Sequence, residues 1–310
     1  MNRFLILLAG IICICGCREI EENLESTIVG FEASTAPTDE TKAGYSLAEN
    51  KTVWEFGDII GCFAEYCNNI RFTNSAENTN FFNGSIWGSP DIFYMYFPYD
   101  QTATLEGTTL TSTYPSDQTL NEGTYSTNPS MGACVESLTS GVTFRNACAL
   151  LKFSVTTDVA RTLVQATFTG NREEPIAGTF TMDLASDTPV MAVADDGATT
   201  ITMTGEVNMT SGQSYDFYMP LPPTTFSEGI TIKLTDTDGN VYKKEFTTPL
   251  VLKRNGAVAI STPLEFSNSN IVPAPVLTIN SLIVPSLSDE TVTIDEEAQT
   301  VTINRNGFID

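Results

Sequence analysis

The chain has 310 residues, with 38 Asp and Glu against 15 Lys and Arg, no histidine and a formal net charge of −23. A surface of that sign repels phosphate backbones, so nucleic acid is not an expected partner. The lack of histidine removes the commonest general base and the commonest metal ligand, which argues against hydrolase triads and zinc sites.

Residues 1–16 read as a leader. Arg3 supplies its positive end, and Phe4 to Ile14 is an apolar run too short to span a bilayer as a stable helix. After Cys17 the chain turns abruptly polar, with Arg18, Glu19, Glu21 and Glu22. An ordinary secretory signal ends in an Ala-x-Ala-like site, which this chain lacks. The run Ile14-Cys15-Gly16-Cys17 instead resembles a lipobox, with a small residue before the cysteine. That resemblance implies cleavage before Cys17 and acylation of Cys17; several acyl chains, at about 0.8 kcal/mol per buried CH₂, make a lasting anchor. The alternative is an ordinary cleaved signal in which Cys17 is incidental.

Residues 17–50 read as a polar, acidic tether interrupted by one strand-like segment, Ser26 to Ala33, with Ile28 and Val29 at its centre and Phe31 following. The tether is either a disordered stalk with one sticky patch or the carrier of a first strand that belongs to the fold. From Thr52 onward, short β-rich runs alternate with turn clusters. Trp54-Glu55-Phe56-Gly57-Asp58 leads into Ile59 to Phe63, and Phe81-Phe82-Asn83-Gly84 carries an Asn-Gly turn signal. Phe93 to Tyr99 is dense in aromatics at alternating spacing, which favours a core strand with one exposed face over a sugar-binding platform. Pro115 to Gly141 is rich in Ser, Thr, Asn and Gly with few strand signals. Further strands are expected in Val142 to Val155, Gly178 to Leu184, Thr199 to Met203, Ser214 to Met219, Gly229 to Leu234 and Val241 to Phe246.

No long segment outside the leader shows helical apolar spacing, so the expected fold is all-β, built of antiparallel sandwiches. About 250 residues of such strands exceed one sandwich, which predicts two in tandem, 51–140 and 141–266. After Phe266, Ser267-Asn268-Ser269-Asn270 with Pro273 and Pro275 reads as a linker. The remainder of 267–310 is expected to form a β-hairpin tail, too short for a sandwich core of its own: either an appendage packed on a neighbour or the opening hairpin of an incomplete module that resembles an immunoglobulin-like one.

Beyond Cys17 the cysteines are Cys62, Cys67, Cys134 and Cys148. Disulfides, with Cys62–Cys67 and Cys134–Cys148 as the sequence-local pairing among three connectivities, and free buried thiols both remain open. No zinc spacing is present, so neither metal nor cofactor is expected. Asp236-x-Asp238-Gly239-Asn240 has the start of a calcium loop, but its twelfth position is Thr247 rather than glutamate, so a hairpin turn is expected. Arg172-Glu173-Glu174-Pro175 is a charged loop, and neither a Gly-x-Ser-x-Gly nor a Gly-x-Gly-x-x-Gly motif occurs. Catalysis is not expected.

The ordered segments resemble the fimbrillin-like proteins of Bacteroides-type (type V) pili. The resemblance rests on Trp54-Glu55-Phe56-Gly57-Asp58-Ile59-Ile60, Tyr94-Met95-Tyr96-Phe97-Pro98, Phe144 to Phe153, Tyr218-Met219-Pro220-Leu221-Pro222-Pro223, Gly229 to Leu234 with Asp238-Gly239, and Val251 to Gly256. These span roughly residues 40–265, behind a lipobox leader. The resemblance implies two transthyretin-like sandwiches, delivery to the outer membrane as a lipoprotein facing the cell exterior, and assembly by strand exchange with other fimbrial subunits. In that scheme a trypsin-like protease removes the leader together with the first strand, here Ile28, Val29 and Phe31. A strand of the next subunit then fills the groove, which is strand addition to an exposed edge. The family's processing context looks like Thr-Arg-Ala, and this chain has Thr41-Lys42-Ala43. An arginine-specific protease should cut Lys42 poorly, which points to an anchor or accessory subunit rather than a shaft repeat. The acidic run Glu19 to Glu25 resembles signals that direct such lipoproteins to the cell surface.

The resulting expectation is an adhesive, non-catalytic surface lipoprotein with host or bacterial surface ligands. The alternative is a glycan-binding surface lipoprotein of a nutrient-uptake system, motivated by Trp54, Trp87 and Tyr94 to Tyr99.

Overall fold

The computed structural model describes residues 25–36, 54–272, 290–295 and 300–305. Cys17 and Lys42 lie outside them. As expected, every element among the described residues is a strand.

The first ten are β1 (Ser26–Thr35), β2 (Ile59–Ala64), β3 (Cys67–Asn74), β4 (Phe81–Trp87), β5 (Phe93–Phe97), β6 (Thr104–Glu106), β7 (Thr109–Tyr114), β8 (Asp117–Thr119), β9 (Met131–Val135) and β10 (Val142–Asn146). Seven of these pair in the order β1-β10-β9-β5-β2-β3-β4 and close on themselves as a barrel. Next come β11 (Ala149–Thr157), β12 (Arg161–Gly170), β13 (Gly178–Asp183), β14 (Ala192–Val193), β15 (Thr200–Met209) and β16 (Ser214–Leu221). They are followed by β17 (Thr225–Phe226), β18 (Ile230–Asp236), β19 (Val241–Phe246), β20 (Leu250–Val251), β21 (Ala257–Ala259), β22 (Leu264–Phe266) and β23 (Ile271–Val272). β16-β11-β21, with β22 also on β11, forms one sheet and β23-β19-β18-β12-β15-β8 another. A third, β14-β13-β7-β6, and the small pair β17-β20 complete this part. In the tail, β24 (Glu290–Asp295) and β25 (Thr300–Arg305) pair antiparallel, from Glu290↔Arg305 to Asp295↔Thr300.

Two apolar cores follow from the alternation of these strands. Inside the barrel, Phe31, Ile60, Phe72, Phe82, Met95, Phe97 and Phe144 pack around Trp54. In the second core, Leu151, Phe153 and Val155 of β11 and Phe217 and Met219 of β16 bury with Phe168, Ile201, Ile232 and Leu234. The aromatic strand β5 differs from expectation, because both its faces are covered. Phe93, Met95 and Phe97 point into the barrel, while Tyr96 joins the second core. Glycines on the barrel's outer surface make that approach close. The Tyr96 ring occupies the space a Cβ on Gly61 would need, and Leu184 and Met182 crowd the same position at Gly132.

Sheet membership also departs from the expected division at residues 140 and 141. β6, β7 and β8 precede it, yet β6 pairs with β7, β7 with β13 and β8 with β15, whereas β10 follows it and pairs with β1 and β9. The weakly patterned stretch Pro115 to Gly141 holds both β8 and β9. Asn83-Gly84, expected to be a turn, lies inside β4, where the absent Cβ of Gly84 leaves room for the Phe72 ring. Asp236 to Asn240 is the expected β18–β19 hairpin turn, with Gly239 at φ 77°.

That turn is also the centre of a polar cluster. Asp236 Oδ1 accepts the backbone N–H groups of Asp238 (3.0 Å) and Asn240 (2.8 Å), and Oδ2 accepts from Arg161 Nη1 (2.9 Å) and Asn240 Nδ2 (2.9 Å). The Arg161 and Asp236 side chains are both buried. Arg161 also donates to Asn268 and lies over the Phe266 ring, 4.9 Å from its centroid. Residues 267–270, expected to be a linker, form an exposed turn tied down by hydrogen bonds; Asn268 N–H reaches Asp158 Oδ2 at 3.0 Å, and β23 extends the sheet beyond β19.

Candidate functional site

The strand anticipated at Ser26 to Ala33 exists and completes the barrel. Along its first part β1 runs antiparallel to β4, from Ser26↔Trp87 to Glu32↔Phe81. Its last residues pair parallel with β10, at Ala33↔Val142, Ser34↔Thr143 and Thr35↔Phe144. β1 thus changes partner part-way along its length, and its loss would uncover one edge of β4 and one of β10. Ala33 N–H donates to the Asn80 carbonyl (2.8 Å) and Ala36 N–H to the Phe144 carbonyl (2.7 Å). Ser34 Oγ and Thr143 Oγ1 share a hydrogen bond of 3.0 Å, and Asn78 Nδ2 donates to Glu32 Oε1 at 3.2 Å.

The phase of the strand is set by Phe31. Its buried ring stands 5.4 Å from Phe72 and 6.0 Å from Phe82, nearly parallel to the latter. Ala33 is buried on the same face and Val29 packs partly against the core. Ile28, expected at the heart of the strand, falls on the other face and is 77% exposed. Period-two alternation makes the two placements exclusive: once Phe31 points inward, Ile28 cannot. Gly30 shares the outer face, and the Phe81 ring lies across it. The pairing of residues 33–35 with β10 had no signal in the sequence, because Ala, Ser and Thr beside a polar stretch show no apolar pattern.

Trp54 closes the interior, with Phe82, Phe97 and Phe144 set edge-on to its ring at 5.1, 5.0 and 5.4 Å. It is therefore a core residue, as are Tyr96 and Phe97, and cannot serve a surface ligand. Trp87 is 40% exposed, at the far end of β4. Its backbone N–H donates to Cys67 Sγ at 3.3 Å.

The four cysteines among the described residues are free thiols, Cys62, Cys67 and Cys148 buried and Cys134 half-buried. Burial pushes the Cys62 thiol far above its ordinary range, and pushes Cys148 up to about 12. Such thiols are not nucleophiles at neutral pH. Among the described residues there is no group of three or more Cys, Asp or Glu suited to a metal ion, and no helix long and apolar enough to cross a membrane.

Neither a protein-family model nor a curated protein sequence matches the chain. Among solved structures, the fold is similar to that of a candidate cell adhesion protein from Bacteroides ovatus, with a TM-score of 0.51 and 12% identity over 80% of this chain and 95% of that one. A candidate cell adhesion protein from Bacteroides fragilis matches at a TM-score of 0.37 and 12% identity, over 90% of this chain and 97% of that one. The tip fimbrial protein Mfa3 from Porphyromonas gingivalis, truncated at its C-terminus, matches at a TM-score of 0.32 and 10% identity, over 77% and 96%.

Proposed function

We propose that this chain is an adhesive surface lipoprotein, held at the outer membrane by acyl chains on Cys17, that serves as an anchor or accessory subunit of pili assembled by strand exchange. The observation that carries the reading is β1: an N-terminal strand that fills a gap between β4 and β10, followed by residues 37–53 with Lys42 among them. The fold shared with the Bacteroides ovatus protein supports the adhesive part of the reading.

A cut after Lys42 would sever β1 from the rest of the barrel without breaking any strand among the described residues. An exchanged strand entering the gap must run antiparallel to β4 and carry inward groups at the places of Val29, Phe31 and Ala33. Lys42 in place of arginine disfavours that cut, so Cys17 acts as a permanent anchor.

The N-terminus of the protein recovered from cells tests the role. A blocked, acylated Cys17 is expected; a free Ala43 on most molecules would instead mark a processed, polymerising subunit. Deleting the gene should reduce surface adhesion or fibre attachment, and unchanged fibres with unchanged adhesion would remove the proposal.

A further inference from the structure

At the end of the barrel where β2 turns into β3, a cavity of about 570 Å³ opens to solvent. Its wall combines ring and aliphatic faces from Tyr66, Tyr94 and Ile92 with the polar groups of Glu65, Asn68 and Asp91. Tyr66 is 55% exposed and Ile92 41% exposed, so large apolar groups face water on either side of the opening. Cys67, also in the wall, holds the backbone of Trp87, which brings a second exposed aromatic residue to the same end of β4.

The backbone at Tyr66 makes this a built feature. Ala64 pairs with Cys67, so Glu65 and Tyr66 are the two tip residues of the hairpin, and Tyr66 has φ 60°. Left-handed backbone at a hairpin tip is normally given to Gly or Asn, and a bulky aromatic there is strained. Strain of this kind is kept where a side chain has work to do.

We propose that this cavity binds a neutral glycan, which names the ligand class of the adhesive role proposed above. Flat apolar faces suit the C–H face of a pyranose ring, and carboxylate and amide groups at the rim suit its hydroxyl edge. Glu65 and Asp91 in the wall, on a chain of net charge −23, disfavour sialylated and sulfated sugars.

The test uses the chain lacking only its leader, on an array of neutral, sialylated and sulfated glycans, followed by calorimetry with the strongest neutral ligand. Tyr66→Gly is the informative variant, because glycine suits φ 60° and the hairpin keeps its shape. Binding should weaken by about tenfold or more, while the melting temperature stays equal or rises. Asp91→Asn should also weaken binding, and Tyr99→Ala, outside the cavity wall, should not. No binding to any neutral glycan overturns the inference, as does binding that Tyr66→Gly leaves unchanged, preference for anionic glycans, or preference for a cationic peptide. Because the array reads the purified chain, its failure would leave cell adhesion and the acylated N-terminus to be judged separately.

Discussion

Replacing Phe31 with alanine tests whether β1 is an integral stave of the barrel. The ring is 2% exposed and sits between Phe72 and Phe82. Truncating a fully buried phenylalanine costs about 3–5 kcal/mol, from the lost transfer free energy and the cavity left behind. Ile28→Ala is the matched control, since Ile28 lies on the same strand but is 77% exposed. Its expected cost is within about 0.5 kcal/mol. Urea denaturation of both variants, read by fluorescence of buried Trp54, gives the difference in unfolding free energy. If β1 leaves its gap before the barrel unfolds, the global loss is capped at the free energy of that departure. Hydrogen exchange covers this case: amides of β4 and β10 that face β1 should lose protection in Phe31→Ala and keep it in Ile28→Ala. Similar small effects in both variants, on global stability and on amide protection alike, would refute the placement of β1.

The Asp236 carboxyl is raised by burial and lowered more strongly by hydrogen bonds from Asn240 and Arg161, so it ends below the ordinary carboxylate range. The folded form therefore takes up this proton less readily than the unfolded chain, and the contribution present above about pH 4 is lost as pH falls through the folded value. An acid titration of stability should show this loss, and Asp236→Asn should cost about 1–3 kcal/mol at pH 7, because Arg161 loses its buried ion-pair partner and keeps only the longer ion pair with the half-exposed Asp158. Asp100 behaves alike: burial raises it, bonds from Thr102, Ser112 and Thr113 outweigh that, and its share also disappears at low pH. Gly84→Ala should destabilise by about 1–3 kcal/mol in the same denaturation assay, because the new Cβ would stand 2.8 Å from the Phe72 ring. Alkylation of the folded chain lacking residues 1–17, read by mass spectrometry, should mark Cys134 first and reach Cys62, Cys67 and Cys148 only on unfolding.

Strand content was legible because β-branched and aromatic runs bounded by turn residues dictate it locally. What resisted reading was decided by distant partners. Ile28 and Val29 look like the apolar heart of β1, yet Phe31 fits between Phe72 and Phe82 and so fixes the opposite phase for Ile28. Asn83-Gly84 is a strong local turn signal, overridden because Phe72 needs the space above Gly84. β8 is Asp-Gln-Thr, three polar residues that form a strand only through parallel pairing with β15. The hairpin at Asp236 to Asn240 was readable, whereas its bond to Arg161, from which the cluster reaches Phe266 and Asn268, depends on residues far away in sequence. Tyr66 gave no sign at all, since its backbone conformation cannot be read from neighbouring residue types.

The change of partner along β1 also dictates an order of events during folding. Its antiparallel neighbour β4 pairs across 49 positions at Glu32↔Phe81 and 61 at Ser26↔Trp87, whereas Ser34 meets Thr143 across 109. Doubling the loop adds only about 0.6 kcal/mol of closure entropy, and pairings of higher sequence separation form more slowly. This separation favours β1 lying against β4 first and turning onto β10 once residues 142–146 are in place. It predicts an unclosed barrel on the way to the native state, in which the gap that a foreign strand would fit stands open.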